Sequence, residues 1–511
     1  MRALGMRTKL ALLTAVLAGS VAATAVTPAQ AVVPQADWHK IKPAPPRPFN
    51  PQQPLRVQLD NGLVLFLQQD RELPLISVNI AVRGGSVEEP ADKTGLVDLY
   101  AATWRSGGTQ KRSGDQIDDF LGLRAATVET VSDEDSTGLQ ANFLKTDFDD
   151  VFKLIVEILR EPEFRQDKID LAKKQIFTGI SRRNDNPMEI IGREAVKLAY
   201  GKGHPLARQT EYATVGSVTR EDLLAWHKRS VHPNNVYIGL SGDFEPREME
   251  EKIRARLGSW PKGPAMAKSK LNFTPTKSGL FFVGKEDVNQ SSIQLVQLGT
   301  TNKNPDVYAL DVMNEILGGG FSARLFSSVR SKQGLAYNVR GGVGLGWDDP
   351  DIYRLAMGTA SKNTRAAIEA LLKEVHGMTK EPPTEIELVR AKDSLLNSFV
   401  FKFDSKAKIL RDRMNLEFYG YPPDWTTKYY ENIQKVTLAD VNRVAQKYLN
   451  PGGFAIIVVG NPAEIGEQLK QLQSLGAVQE LDISIPPLPK LPAQTATPGG
   501  PAPGAPKPAP R

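Results

Sequence analysis

The sequence predicts an α+β fold: two homologous domains in tandem, each a mainly antiparallel sheet with helices packed on one side. Three observations carry this. Val218 and Val436, Pro233 and Pro451, and Gly242 and Gly460 all stand 218 positions apart, marking in each copy a Thr-led helix start, a Pro turn and an apolar strand ending in Gly. One offset shared over that much pattern reads as duplication of a domain of roughly 200 residues. In both copies strand-like runs come first and helix-length amphipathic runs follow. A polar, Pro-containing stretch, Pro261 to Lys277, joins the copies.

Taken in order, residues 1–31 read as an export signal. Arg2, Arg7 and Lys9 form a positive start, Leu10 to Val26 is an apolar run, and Ala29-Gln30-Ala31 supplies a small-x-small cleavage pattern. An uncleaved anchor helix is the other reading of that run. The expected mature protein is exported, periplasmic or secreted, with no stable membrane span once the signal is removed. Residues 32–54 are a Pro-rich linker. In the first domain, expected over 55–262, Leu55–Gln69 and Leu75–Val82 read as strand runs around an Asp60-Asn61-Gly62 turn. Thr94–Thr103, Phe148–Leu159 and Lys168–Arg183 read as helices, and Val236–Leu240 as a closing strand. After a linker at 263–277, the second domain (278–478) repeats the plan. Its strands are Gly279–Val283 and Ser292–Leu298, and its helices Asp306–Leu317, Asn363–Lys373 and Thr384–Ser398. Residues 479–511 are expected to be a Pro-rich disordered tail. Ten of the 26 residues from Pro486 onward are proline, which lacks the backbone donor that helices and sheets need.

Composition excludes several classes of function. The 511 residues contain no Cys, which removes disulfide scaffolds, Cys-ligated zinc, iron–sulfur clusters and thiol nucleophiles. The apolar fraction, 41%, is that of a globular protein rather than a disordered one. Of the net charge of +6, three positives belong to the first 31 residues, which hold no acid. The remaining +3 is no electrostatic footprint for nucleic acid. The sequence has no P-loop, no Gly-x-Ser-x-Gly elbow and no dinucleotide fingerprint after a first strand.

In the second copy, Gly318-Gly319-Gly320-Phe321-Ser322-Ala323-Arg324 precedes Val329-Arg330-Ser331 and, seven residues after Arg330, Tyr337. The first copy carries Val82-Arg83-Gly84-Gly85-Ser86, Thr94-Gly95-Leu96 and Gly107-Gly108-Thr109. Together these resemble the pitrilysin/insulinase family of zinc metallopeptidases, over nearly all of residues 55–475. The resemblance implies the family's fold and an H-x-x-E-H helix, in which two His at i and i+4 reach one zinc and the Glu serves its bound water. Here those five positions are Asp98-Leu99-Tyr100-Ala101-Ala102, so Asp98 and Ala102 replace the His pair and Ala101 the Glu. By spacing, the distal ligand falls near Gly179. All four positions have lost their chemistry. The five His (His39, His204, His227, His232 and His376) offer no i, i+4 pair with a nearby Glu, and each reads as structural or superficial. No metal and no cofactor is expected in this chain.

What the resemblance leaves is the pair Arg330 and Tyr337, which in the family donates hydrogen bonds to substrate backbone and oxyanion. Read from the residues alone, Arg330 could equally be a surface helix residue and Tyr337 a packing residue. The family divides labour in some bacteria between a zinc-bearing chain and one keeping only the Arg/Tyr pair. The implied partners are therefore a zinc-bearing homologous subunit, giving a heterodimer, and a peptide or unfolded polypeptide substrate. On that reading the protein lacks catalytic residues of its own and completes a partner's site. The alternative is a non-catalytic structural or peptide-binding protein of the same fold. Two further segments have expectations attached. Asp133-Glu134-Asp135 reads as a solvated turn, and Ala126–Gln140 as an edge that a peptide could pair with.

Overall fold

A computed structural model describes residues 51–488; the expected export signal at 1–31, the expected linker up to residue 50, His39 and the tail from residue 489 lie outside the described residues. Six strands form the first sheet: β1 (Leu55–Gln58), β2 (Val64–Gln69), β3 (Leu75–Arg83), β4 (Thr127–Ser132), β5 (Ser136–Leu144) and β6 (Val236–Gly242). Their order is β1-β2-β6-β3-β5-β4, and only β2 and β6 run parallel. The turn between β1 and β2 falls at Asp60-Asn61-Gly62, with Gly62 at a φ of 88° that suits glycine.

The second sheet holds β7 (Gly279–Gly284), β8 (Gln290–Leu298), β9 (Val339–Gly342), β10 (Ile352–Ala360), β11 (Ala455–Gly460) and β12 (Val478–Glu480). Its order, β9-β10-β8-β11-β7-β12, repeats the first sheet, with β11 in the place of β6 and parallel to β7 as β6 is to β2. The duplication reaches single hydrogen bonds. Thr219 and Thr437 each open a helix with a reciprocal capping box to Asp222 and Asp440. The copies part company at the outer strand: β1 comes from the chain before β2, whereas β12 comes from beyond the last helix and lies parallel to β7.

The principal helices are α1 (Leu96–Trp104), α2 (Phe148–Arg160), α3 (Gln166–Arg182), α4 (Pro187–Tyr200) and α5 (Arg220–Ser230) in the first half. In the second they are α6 (Val307–Asn314), α7 (Thr364–Lys380), α8 (Glu385–Phe399), α9 (Lys406–Phe418) and α10 (Leu438–Tyr448). Alternation along the strands assigns their packing. Leu63, Leu65, Leu67, Ile76, Val78, Ile80 and Val82 face the first half's own helices in its main core. Val64 and Phe66 point the opposite way, onto Leu410 and Met414 of α9 from the other half. Reciprocally, Ile190, Ile191, Ala195 and Ala199 of α4 pack on Phe281, Val283, Ile457 and Val459 of the second sheet.

Each sheet thus has its own helices on one face, as expected, and a helix lent by the other half on the opposite face, which was not expected. This is why β2 and β11 read as nearly unbroken apolar runs: both faces are covered. Gly239 in β6 makes the approach of α9 possible, since a Cβ there would collide with the Met414 sulfur. Hydrogen bonds close the exchange. Arg56 grips Glu417 through a bidentate pair, Arg83 donates to the Phe418 carbonyl, and the Tyr200 hydroxyl donates to the Pro350 carbonyl.

Contacts continue at both expected domain boundaries. At the expected boundary of 478, Val478–Glu480 pairs onto the second sheet, and Leu481 and Ile483 pack against the α4 cluster. The chain from Leu481 to Leu488 then crosses to the first half, where Asn184 donates to the Ile483 carbonyl. The joining stretch around 261–278 has no helix or strand, yet it is pinned: Met266 to Asn235, Ser269 to Glu88, and Thr276 to the Ala199 carbonyl. No helix among the described residues is long and apolar enough to cross a membrane.

Candidate functional site

Helix α1 starts at Gly95, whose φ of 96° fits glycine, and its first turn is capped from outside the helix. The Glu89 carboxylate accepts from the Gly95 and Val97 amides, both at 3.0 Å. Burial pushes this carboxyl up to about 7 against those two stabilising bonds, and Arg208 donates to the Glu89 carbonyl. Leu96, Val97, Leu99, Tyr100, Ala101, Thr103 and Trp104 are buried, which leaves Asp98 and Ala102, at i and i+4, on the one exposed face. The geometry of a two-ligand helix face is therefore present without its ligands. Asp98 accepts from the Ser132 hydroxyl of edge strand β4, Ala101 is buried with its carbonyl accepting from Thr130, and Gly179 lies exposed on α3, which packs beside α1.

A lone carboxylate among two alanines and a glycine does not suit zinc, which takes three or four nitrogen, sulfur or oxygen ligands. Among the described residues no group of three His, Asp or Glu stands close enough to hold a metal ion. Three of the described His residues have other partners. His227 is packed among Tyr100, Trp104 and Phe164, its Nδ1 is paired with the Tyr100 hydroxyl at 2.9 Å, and burial lowers it to about 3. His204 stacks on Tyr200, with burial lowering it, and the His376 Nδ1 lies 2.9 Å from the Leu372 carbonyl.

The second candidate group sits in the other half. Helix α6 runs on into a wider π-type turn over Glu315–Gly319, and the Gly-rich segment leads to a second such turn, Phe326–Lys332, that carries Arg330. Wide turns of this kind often mark functional positions. A Cβ on Gly318 would strike the Gly341 carbonyl of β9, so glycine is required for the segment to lie on the sheet edge. Arg324 anchors it to α8 through a bidentate pair with Glu387 at 2.6 and 2.9 Å, which holds that carboxyl down to about 2. On this base the Arg330 guanidinium stands 4.4 Å from the Phe326 ring centre and 5.0 Å from that of Tyr337. Tyr337 is 85% exposed and Phe321, edge-on to Phe326, is 81% exposed.

The structure therefore brings Arg330 and Tyr337 into contact, and Asp98, Ala101 and Ala102 onto one helix, in two different halves. Sequence reasoning missed Phe326 and Phe321, which complete the ring–cation stack; an aromatic four residues before Arg330 on a helix was the available signal. It also missed Glu89, seven residues ahead of α1. The edge segment narrows: Thr127–Ser132 is the outer strand, while Ser136–Gln140 belongs to β5, an interior strand. Asp133 and Glu134 are exposed in the β4–β5 turn, but the turn is also a connector. Its carbonyls accept from Gly84, Ser86 and Val87, and it lines a cavity of about 440 Å³ with Asp348 and Asp349 of the second half.

Comparison with known proteins agrees with this arrangement. Residues 64–214 match the family model for insulinase (peptidase family M16), and residues 217–395 that for the peptidase M16 inactive domain. An uncharacterized zinc protease of Rickettsia felis is 25% identical over 348 residues, 67% of this chain and 82% of that one. A Helicobacter pylori protein named as a non-peptidase homolog is 21% identical over 403 residues, 78% of this chain and 91% of that one. The crystal structure of a peptidase M16 inactive domain from Pseudomonas fluorescens superposes with a TM-score of 0.73 at 24% identity, covering 80% of this chain and 98% of that one. Duplicated sheets, a zinc-motif helix without ligands and matches to both family domains lead to one conclusion: the chain belongs to the insulinase family, peptidase family M16.

Proposed function

We propose that the protein is the non-zinc subunit of an exported two-chain metallopeptidase, binding peptide substrate and completing the site of a zinc-bearing homologous partner. One observation carries this reading: the two residues that keep chemistry, Arg330 and Tyr337, are held together on an exposed rim while the motif helix has none. Arg330 offers a fixed fork of N–H donors, and Tyr337 one O–H, to a peptide carbonyl and to the oxyanion that develops on it. The π-type turn and the Arg324–Glu387 anchor fix the position of Arg330, so little ordering is left to do when substrate arrives. Export rests on residues 1–31, and the mass of the secreted chain tests it, with cleavage after Ala31 as the expected outcome.

The decisive experiment measures quenched-peptide hydrolysis and zinc content of the chain alone and mixed with a homologous chain carrying H-x-x-E-H. Activity is expected only in the mixture, and Arg330→Ala lowers its turnover by about a hundredfold, the cost of removing an oxyanion donor. Turnover by this chain alone, or an Arg330→Ala mixture as active as the wild type, refutes the proposal. The second of those outcomes transfers the weight to a structural or peptide-binding role.

A further inference from the structure

A second cavity, of about 400 Å³, lies between the first half and the returning C-terminal segment, with Thr94 ahead of α1 in its lining and Arg330 and Tyr337 outside it. Five cations line it: Arg183 at the end of α3, Arg193 and Lys197 on α4, and Lys202 and Arg208 in the loop that follows. Three carboxylates face them. Glu211 pairs with Arg183, and Glu194 pairs with both Arg193 and Lys197. Asp482, on the returning segment, accepts from the Ser484 amide. The lining thus carries two positive charges more than negative ones. Arg208 spends one guanidinium N–H on the Glu89 carbonyl, a neutral acceptor, and the buried Nε–H of Arg183 has no acceptor.

An excess of cations gathered in a concave site raises the local positive potential and favours an anion there. From the charge count and the cavity we infer that this is a binding site for a small molecule bearing a dianionic oxyanion, a phosphate monoester or a polycarboxylate. A dianion neutralises the surplus of two, and Arg208 and Lys202 are the side chains with donors to spare for its oxygens. The volume exceeds that of a bare phosphate and leaves room for the group that carries it. The bound ligand bridges α4 and the loop after it to Asp482–Pro486, fastening the segment that runs from the second sheet to the first half. Nothing in this site depends on a zinc-bearing partner.

The test is isothermal titration of the full chain, at fixed ionic strength, with inorganic phosphate and separately with citrate. Saturable binding with a Kd below ~1 mM is expected for one of the two probes, and which one binds tells phosphoryl from carboxylate ligands. Arg208→Ala and Lys202→Gln should each weaken it by about tenfold or more, as loss of a charge-assisted contact does. Lys202 is exposed and makes no demand on the core, so Lys202→Gln keeps the test decisive if Arg208→Ala fails to fold. No saturable binding of either probe, or binding unchanged in Lys202→Gln, overturns the inference.

Discussion

His227 makes a sharp test of how α1 is built into the first half. Its ring sits among Tyr100, Trp104 and Phe164, and its Nδ1 is paired with the Tyr100 hydroxyl. Burial lowers it from 6.5 to about 3. Between those values the unfolded chain holds the proton and the folded chain does not, so stability falls as pH drops from about 6.5 toward 3. The full slope is about 1.4 kcal/mol per pH unit, which gives about 2 kcal/mol at pH 5. Because His227 as a residue keeps some solvent contact, about 1–2 kcal/mol is the expected loss. Glu89 acts with the opposite sign. Its carboxyl, raised to about 7, contributes stability that is present below about 4.5 and lost as pH rises through 7. The wild-type profile alone therefore mixes two trends. His227→Gln keeps a hydrogen-bond partner for Tyr100 without a proton to gain, and denaturant unfolding of both proteins between pH 5 and 7.5 separates the two. Wild type should lose about 1–2 kcal/mol relative to the variant on going from pH 7 to 5. Parallel profiles would refute the burial of a neutral His227.

Two packing predictions follow from the exchanged helices. Ile191→Ala removes three carbons from the α4 cluster, about 0.8 kcal/mol each before any cavity cost, so a loss of about 2.4 kcal/mol or more is expected in denaturant unfolding. Gly239→Ala drives a methyl group into Met414 and should cost about 1–3 kcal/mol, with Gly239→Ala/Met414→Ala recovering part of that loss by relieving the clash.

The parts of the fold that local pattern encodes were legible. Thr219 and Thr437, with Pro233 and Pro451, announce their helices and turns by caps that act within a few residues, and the structure places a capping box or a turn at each. The exchanged helices were not foreseen. α9 scatters Arg411, Asp412 and Arg413 between Leu410 and Met414, and its purpose appears only when a sheet far away in sequence needs cover. α4 had a usable signal in Asn186-Pro187, since Asn caps the helix and Pro suits its first turn. The two candidate groups differ in the same way. The loss at Asp98, Ala101 and Ala102 is written in residue identities, whereas the stacking of Arg330 between Phe326 and Tyr337 depends on wide turns that periodicity does not reveal. Likewise, Pro486 and its neighbours gave reason to end the fold early, but β12 is short and its pairing with β7 is set by tertiary contact.

The lent helices also set a timetable for synthesis. The first sheet is complete in the chain by Gly242, yet Leu410 and Met414, which cover Val64 and Phe66, emerge roughly 170 residues later. At ~5–20 residues per second that is an interval of about 10–35 s with an uncovered apolar sheet face. Until α9 arrives, the first half therefore keeps Val64 and Phe66 uncovered, so the last step of its burial belongs to the second half of the chain.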